Sequence, residues 1–256
     1  MKIRIAQVKA YPQKGALTAN SERLMDILAK VARAEPDVVI TPEGFLDGYV
    51  ATLETVDAAQ MHDYAIDPCS SKHAQLVSRW AKKNSAWVIL GCTRVDGSVV
   101  HNSALVYDRA GSLAGTCDKG HLQMHDRKYI AGTQLPVFKS DFGLFGVMIC
   151  ADRRWPETVR TLALQGARII LNPTYGMSDE LNLCMMRTRS YESEVFIAFT
   201  HPRQALITDP SGSIICNNEN DSETFAVTDI DLTEADRARM ADLAHLRDRR
   251  PEIYRL

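Results

Sequence analysis

No apolar run in this chain of 256 residues approaches the roughly 18 residues that a membrane-spanning helix needs. No membrane partner is therefore expected. An excess of one charge is missing too: 30 Lys and Arg face 32 Asp and Glu, for a formal net charge of -2. The isoelectric point is near 6.4. A nucleic acid or an anionic membrane would call for a basic surface, so neither is expected as a partner. The six cysteines, at 69, 92, 117, 150, 184 and 216, are dispersed, with no CxxC pair and no Cys/His pairing at zinc spacing. The seven histidines are equally scattered. This argues against a disulfide framework and a metal site, and points to a reduced, cytoplasmic protein with no cofactor. The first residues, Met1 to Ala6, lack the pattern of a signal peptide and read as a strand. No Gly/Ser/Pro-rich linker and no solenoid period divide the chain, so one domain over residues 1–256 is expected.

The composition is that of a globular protein, 45% hydrophobic and 24% charged, with ample length for a large core. Short apolar runs alternate with helical patterns. Lys2 to Val8, Val38 to Thr41, Trp87 to Leu90, Ser98 to Tyr107, Ile169 to Leu171 and Val195 to Thr200 read as strands. So do the residues around Leu113, followed later by Ala205 to Thr208, Ser213 to Cys216 and Thr224 to Val227. Helices are expected from an N-cap at Asn20 or Ser21 through Val31, over Ala74 to Lys83, and over Glu157 to Gln165 ending at Gly166. Two more are expected over Asp179 to Glu194 and Leu232 to Ala244. The pattern predicts an α/β domain with two β-rich layers and outer helices.

Three residues carry chemistry. Cys150 closes the apolar run Leu144 to Ile149 and opens Cys150-Ala151-Asp152-Arg153-Arg154-Trp155-Pro156-Glu157. Pro156 and Glu157 suit the first positions of a helix. A thiol at such a turn, near helix N–H groups and two arginines, is in surroundings that lower its pKa. By itself it reads equally well as a small apolar residue closing a core strand. Glu43 ends the strand in Asp37-Val38-Val39-Ile40-Thr41-Pro42-Glu43, and Lys119 follows a strand-like segment. Singly they read as a loop acid and a surface lysine. Together the three can run nucleophilic acyl chemistry: a carboxylate takes the thiol proton, an ammonium holds the oxyanion and the thiolate attacks.

Here the chain resembles the nitrilase superfamily of carbon–nitrogen hydrolases. The matching pieces are Pro42-Glu43-Gly44-Phe45 with Gly48-Tyr49, Asn102-Ser103-Ala104, Lys119-Gly120-His121-Leu122 and Cys150 through Glu157. Gly166-Ala167 with Asn172-Pro173, and Asp209-Pro210-Ser211-Gly212, continue the series in the family's order. The resemblance implies a four-layer α-β-β-α sandwich, a Glu43–Lys119–Cys150 triad and a homodimer or higher homo-oligomer. The arginine-rich tail from Arg247 to Leu256 is either a frayed end or part of a subunit contact.

Two departures stand out. Many family members carry a second glutamate between the lysine and the cysteine. The corresponding stretch, His125 to Gly132, has none and is one residue short, leaving Asp126 as a replacement or as a solvated loop acid. The loop His201-Pro202-Arg203-Gln204-Ala205 is also cut short, which would open one wall of the pocket or change a subunit contact. Arg153 and Arg154 resemble the paired arginines of N-carbamoyl-amino-acid amidohydrolases, where this region holds the substrate carboxylate; bracing of the turn through Asp152 or Glu157 is the alternative. Tyr175 lines the site or packs as a core aromatic. His121 is expected to orient the lysine loop, and Asn102 to support the Glu43 loop. The resemblance implies hydrolysis of a small amide or N-carbamoyl compound. Nitrile hydrolysis, a scaffold of low activity, and a Cys–His hydrolase using His121 or His201 are the alternatives.

Overall fold

The computed structural model describes residues 1–254. One sheet contains β1 (Lys2–Val8), β2 (Val38–Ile40), β3 (Trp87–Asp96), β4 (Val99–Tyr107), β5 (Leu113–Asp118) and β12 (Phe225–Asp231), in spatial order β12-β1-β2-β3-β4-β5. The other contains β6 (Val137–Ser140), β7 (Gly143–Val147), β8 (Ile169–Pro173), β9 (Phe196–Thr200), β10 (Ala205–Thr208) and β11 (Ile214–Asn218), in order β11-β10-β9-β8-β7-β6. The central strands β1-β2-β3 and β7-β8-β9 run parallel, and the flanking strands pair antiparallel.

Apolar residues on both faces of the central strands explain the layering. Ile5, Val38, Ile40, Ile89, Val147, Ile169, Leu171, Phe196 and Ala198 meet in the core between the sheets. Their neighbours Ala6, Val39, Val88 and Leu90 pack under α1 (Leu17–Val31) and α2 (Lys72–Asn84). On the second sheet Ile170, Ile197 and Phe199 pack under α3 (Pro156–Leu164) and α4 (Glu180–Ser193). Successive side chains of a strand point to opposite faces, and each large one buried contributes about 1.5–3 kcal/mol. A strand apolar on both faces therefore needs a layer on each side, and the result is the α-β-β-α sandwich.

Several element bounds differ from the sequence pattern. α1 starts at Leu17, so Asn20 is not its cap. The Asn20 side chain accepts from the Gln13 N–H (2.7 Å) and donates to the Gln13 and Leu46 carbonyls (2.7 and 3.0 Å). It ties the helix to the loop after β2. α4 starts one residue later than the sequence pattern, with Asp179 as its cap, accepting from the Asn182 N–H at 3.0 Å. α5 (Thr233–Arg239) stops short of Ala244, because Met240 and Leu243 are 81% and 74% exposed and leave no apolar stripe to bury. β6 is an additional strand whose four residues, Val137–Ser140, are too few to show an alternation in the sequence. No helix among the described residues is long and apolar enough to cross a membrane. The expected role of the tail concerns residues 247–256, of which the last two lie outside the described residues.

Candidate active site

Three loops converge where the sheets face each other. Glu43 sits in the turn after β2. That turn lies directly on Gly91 of β3, where an added Cβ would strike the Pro42 carbonyl oxygen and the Gly44 nitrogen. Thr41 Oγ1 accepts from the Gly91 N–H at 2.9 Å, and the Leu46 N–H donates to the Gly91 carbonyl at 3.1 Å. The Glu43 N–H reaches the Thr174 carbonyl on the other sheet's side at 3.3 Å. Lys119 immediately follows β5, its N–H donating to Asn102 O and its carbonyl accepting from Gly132 N–H, both at 2.9 Å. Cys150 follows β7 with φ at +45°, in the left-handed region. Such a backbone is sparsely populated for a residue with a Cβ, and here it turns the thiol out of the strand direction. Asp152 holds the turn. Its Oδ2 accepts from Ile149 N–H (3.0 Å), and its Oδ1 from the backbone N–H and Nδ1 of His121 (2.8 Å each). His121, stacked on Trp155 at 4.0 Å between ring centroids, thus ties the lysine loop to the cysteine turn.

Glu43, Lys119 and Asp126 are all fully buried. The Lys119 ammonium donates to Glu43 Oε1 (2.8 Å), Asp126 Oδ2 (2.7 Å) and the Tyr49 hydroxyl (3.0 Å). Asp126 is therefore not a solvated loop acid; it also accepts from the Tyr49 hydroxyl at 2.7 Å and from Gln123 N–H at 3.1 Å. Burial opposes the Lys119 charge, but the charges at Glu43 and Asp126 outweigh it and raise the lysine pKa. Lys119 stays an ammonium. Asn102 donates to Glu43 Oε1 at 2.8 Å, as expected of a support for that loop. Glu43 Oε2 is buried and has no hydrogen-bond partner.

The thiol departs from the sequence reading. Burial raises the Cys150 pKa, the Glu43 charge adds to this, and Lys119, Arg153 and the Tyr175 backbone offset it only in part. The expected helix start lies at Pro156, beyond a tight turn over Cys150–Arg154. The resting group is a thiol, and it needs a base to become a nucleophile.

A cavity of about 300 Å³ opens beside the sulfur, lined among others by Cys150, Arg153, Arg154, Tyr175, Tyr49 and His125. Arg153, only 1% exposed, donates from Nε to Asn182 Oδ1 (2.7 Å) and from Nη2 to the carbonyls of Gly176 and Met177 (3.0 and 2.9 Å). Its Nη1 lies 3.6 Å from Cys150 Sγ. Arg154 is exposed and its guanidinium meets Met177 Sδ at 3.3 Å. Asp152 pairs with His121 and not with either arginine. Tyr175 is half-buried and edge-on to Tyr49, ring centroids 5.4 Å apart. His201 is buried, its pKa lowered to about 4, first by desolvation. Its Nδ1 accepts from Arg203 N–H at 3.1 Å. Neither His121 nor His201 contacts the thiol, so the geometry gives no Cys–His dyad. The loop from His201 to Ala205 closes as a tight turn in which His201 and Gln204 exchange backbone hydrogen bonds of 2.9 and 3.1 Å.

Tyr49, His125 and Asn182 belong to the site and were not singled out from sequence. Tyr49 stood within the Gly48-Tyr49 match, which was the signal available. Asn182 sits on α4, far from any motif, and nothing in the sequence marks it. Among the described residues no group of three or more His, Cys, Asp or Glu side chains is placed to hold a metal ion.

The fold and the family comparison point to one class of protein. The carbon–nitrogen hydrolase family model matches residues 2–240, and the chain belongs to that family, within the nitrilase superfamily. It is 27% identical over 272 residues to a nitrilase of Pyrococcus abyssi, covering 98% of this chain and 99% of that protein. It is 24% identical to an (R)-stereoselective amidase of Pseudomonas sp., covering 98% and 92%. The crystal structure of Nit3 from Saccharomyces cerevisiae, a member of branch 10 of the superfamily, superposes with a TM-score of 0.83 at 22% identity, over 94% of each chain.

Proposed function

We propose that the protein hydrolyses a non-peptide carbon–nitrogen bond in a small amide or N-carbamoyl compound, with Cys150 as nucleophile, Glu43 as general base and then acid, and Lys119 as oxyanion donor. The observation that carries this reading is the buried Glu43–Lys119 pair beside the thiol, with Glu43 Oε2 unpartnered. An unpartnered buried carboxylate oxygen is costly to keep unless it has a proton to receive.

The Cys150 sulfur attacks the carbonyl carbon while its proton passes to Glu43. The carbonyl oxygen becomes an oxyanion held by Lys119 and a backbone N–H of the cysteine turn. Glu43 returns the proton to the leaving nitrogen, the C–N bond breaks, and ammonia or an amine departs. Water then attacks the thioester, losing its proton to Glu43. The C–S bond breaks and the thiol is restored. With an N-carbamoyl substrate the amine leaves first, and hydrolysis of the carbamoyl thioester gives carbamic acid, which breaks down to carbon dioxide and ammonia.

The cavity favours a small substrate carrying negative charge. Of its two arginines, Arg153 already holds Asn182 and two carbonyls, which leaves Arg154 as the better carboxylate contact in this reading. Tyr175 and Tyr49 would border the acyl group. A homo-oligomer remains part of the proposal, as does nitrile turnover by analogy with the Pyrococcus abyssi relative.

Ammonia release from simple amides, N-carbamoyl amino acids and nitriles, with Cys150→Ala as the blank, tests the assignment. Lys119→Ala is expected to lower kcat by about a hundredfold or more on whichever substrate turns over, as loss of an oxyanion donor does. Iodoacetamide will also label the exposed Cys69 and Cys184, but loss of turnover should follow the Cys150 peptide alone. Full activity in Cys150→Ala would sink the mechanism.

A further inference from the structure

Lys119 has three ammonium hydrogens and all three are in use, on Glu43, Asp126 and Tyr49. An ammonium offers three donors and no more. None is left for an oxyanion. Lys119 does not border the cavity, nor do Glu43 and Asp126; Tyr49 does. The ring of Tyr49 also lies against the ammonium, 5.4 Å from ring centroid to Nζ. One partner has to yield before Lys119 can meet a substrate oxygen.

We infer that the Tyr49 hydroxyl is a placeholder on Lys119, displaced by the substrate's carbonyl oxygen, and that His125 makes the displacement cheap by holding the displaced hydroxyl. This rests on the reading of Lys119 as oxyanion donor. Tyr49 is the neutral partner of the three and the longest contact, at 3.0 Å. Bonds to a carboxylate are roughly twice as strong as bonds between neutral groups and the ammonium keeps them. The hydroxyl has one hydrogen, and it goes to Asp126 Oδ1 at 2.7 Å. The contact of 3.0 Å with His125 Nε2 must then be donated by the imidazole, which fixes its proton on Nε2. After leaving Lys119 the hydroxyl still has Asp126 and His125, so no buried polar atom is stranded. His125 lines the cavity and is held edge-on to the Tyr49 ring, centroids 5.6 Å apart. Tyr49 is thus a specificity and positioning residue, and His125 acts through it.

The test uses butyraldehyde on the full-length protein. A thiol adds across an aldehyde carbonyl: the S–C bond forms, the C=O π bond opens, and the thiol proton ends on the former carbonyl oxygen, which occupies the oxyanion position. The dissociation constant is read from protection of Cys150 against iodoacetamide, by mass spectrometry of its peptide. Lys119→Ala should weaken binding at least about tenfold. No weakening, or no protection of the unmodified protein at all, overturns the parent reading and this one with it. Given that loss, Tyr49→Phe should tighten binding by about three- to tenfold, the worth of one net hydrogen bond no longer displaced. A Tyr49 that merely braces Asp126 and Lys119 gives weaker binding, and that result overturns the placeholder role while leaving Lys119's role intact. His125→Ala, at a partly exposed position, should do the opposite and weaken binding by about two- to fivefold. In the Tyr49→Phe background the His125→Ala effect should vanish. Full additivity of the two would show His125 touching the ligand directly and would also overturn the proposal.

Discussion

A guanidinium three residues beyond a nucleophile can hold the substrate or hold the loop, and the sequence of Arg153-Arg154 left both open. The side chain of Arg153 runs into the protein and braces the Gly176–Met177 loop and Asn182 of α4. Arg153→Lys cannot reproduce three directed contacts from a planar fork. It is expected to lower kcat/KM several-fold on an N-carbamoyl amino acid and on its neutral amide counterpart alike. Arg154→Ala should separate the two substrates, raising KM about tenfold for the acid and little for the amide, the worth of a charged hydrogen bond. Equal losses for Arg154→Ala on both would remove it as the carboxylate contact. Glu43, Lys119 and Cys150 could be singled out in the sequence because each ends a strand inside an ordered motif. The partners that set their chemistry could not. Asp126 is defined by the ammonium it reaches seven positions back, and Asn182 by an arginine 29 positions away; both relations depend on loop and helix paths that no motif encodes.

At the scale of elements, the strand pattern was legible because apolar residues on both faces leave few other structures. What could not be read was which glycine is a contact surface. Gly91 sits mid-strand, where glycine normally weakens a sheet, yet the Glu43 turn rests on the space its missing side chain leaves. Gly91→Ala must push that turn away. A stability loss of about 1–3 kcal/mol is expected from the overpacking, together with a fall in kcat on the order of a hundredfold if Glu43 is the base as proposed, because a base misplaced by about an ångström loses its line to the thiol. Gly97→Ala is the control. Its Cβ would meet nothing within 4 Å although φ is +58°, so it should cost stability and leave kcat within about twofold. Comparison of melting temperature with single-turnover rate in the two variants separates strain from misplacement.

Two buried groups with opposed titrations shape the acid stability of the whole molecule. Desolvation raises the Asp47 pKa to about 6, against the pull of the Val50 and Thr93 N–H groups. Its folded value exceeds the unfolded one, so its stabilising contribution is complete below about pH 4 and is lost as pH rises through about 6. His201 runs the other way. With its folded value lowered to about 4, it contributes stability above about pH 6.5 that is lost as pH falls through about 4. Between about pH 4 and 6 the two largely offset each other. Asp47→Asn removes the acid-favouring member. The fall in melting temperature from pH 7 to pH 4 should then be steeper than in the unmodified protein by several degrees, corresponding to about 3 kcal/mol at about 1.4 kcal/mol per pKa unit. Parallel pH curves for the two proteins would refute the offset.

The order of strands has a consequence for synthesis. Arg4 of β1 meets Asp229 of β12 across 225 positions of sequence, and all six strands of the second sheet are made in between. On the ribosome, β1 therefore waits with one edge open while most of the protein is still being translated. An open edge is a template for pairing with another chain. Lys2 and Arg4 place two charges on that strand, of the kind that discourage such pairing. The arginine that closes the finished sheet through Asp229 is, until that strand emerges, the nascent chain's guard against its neighbours.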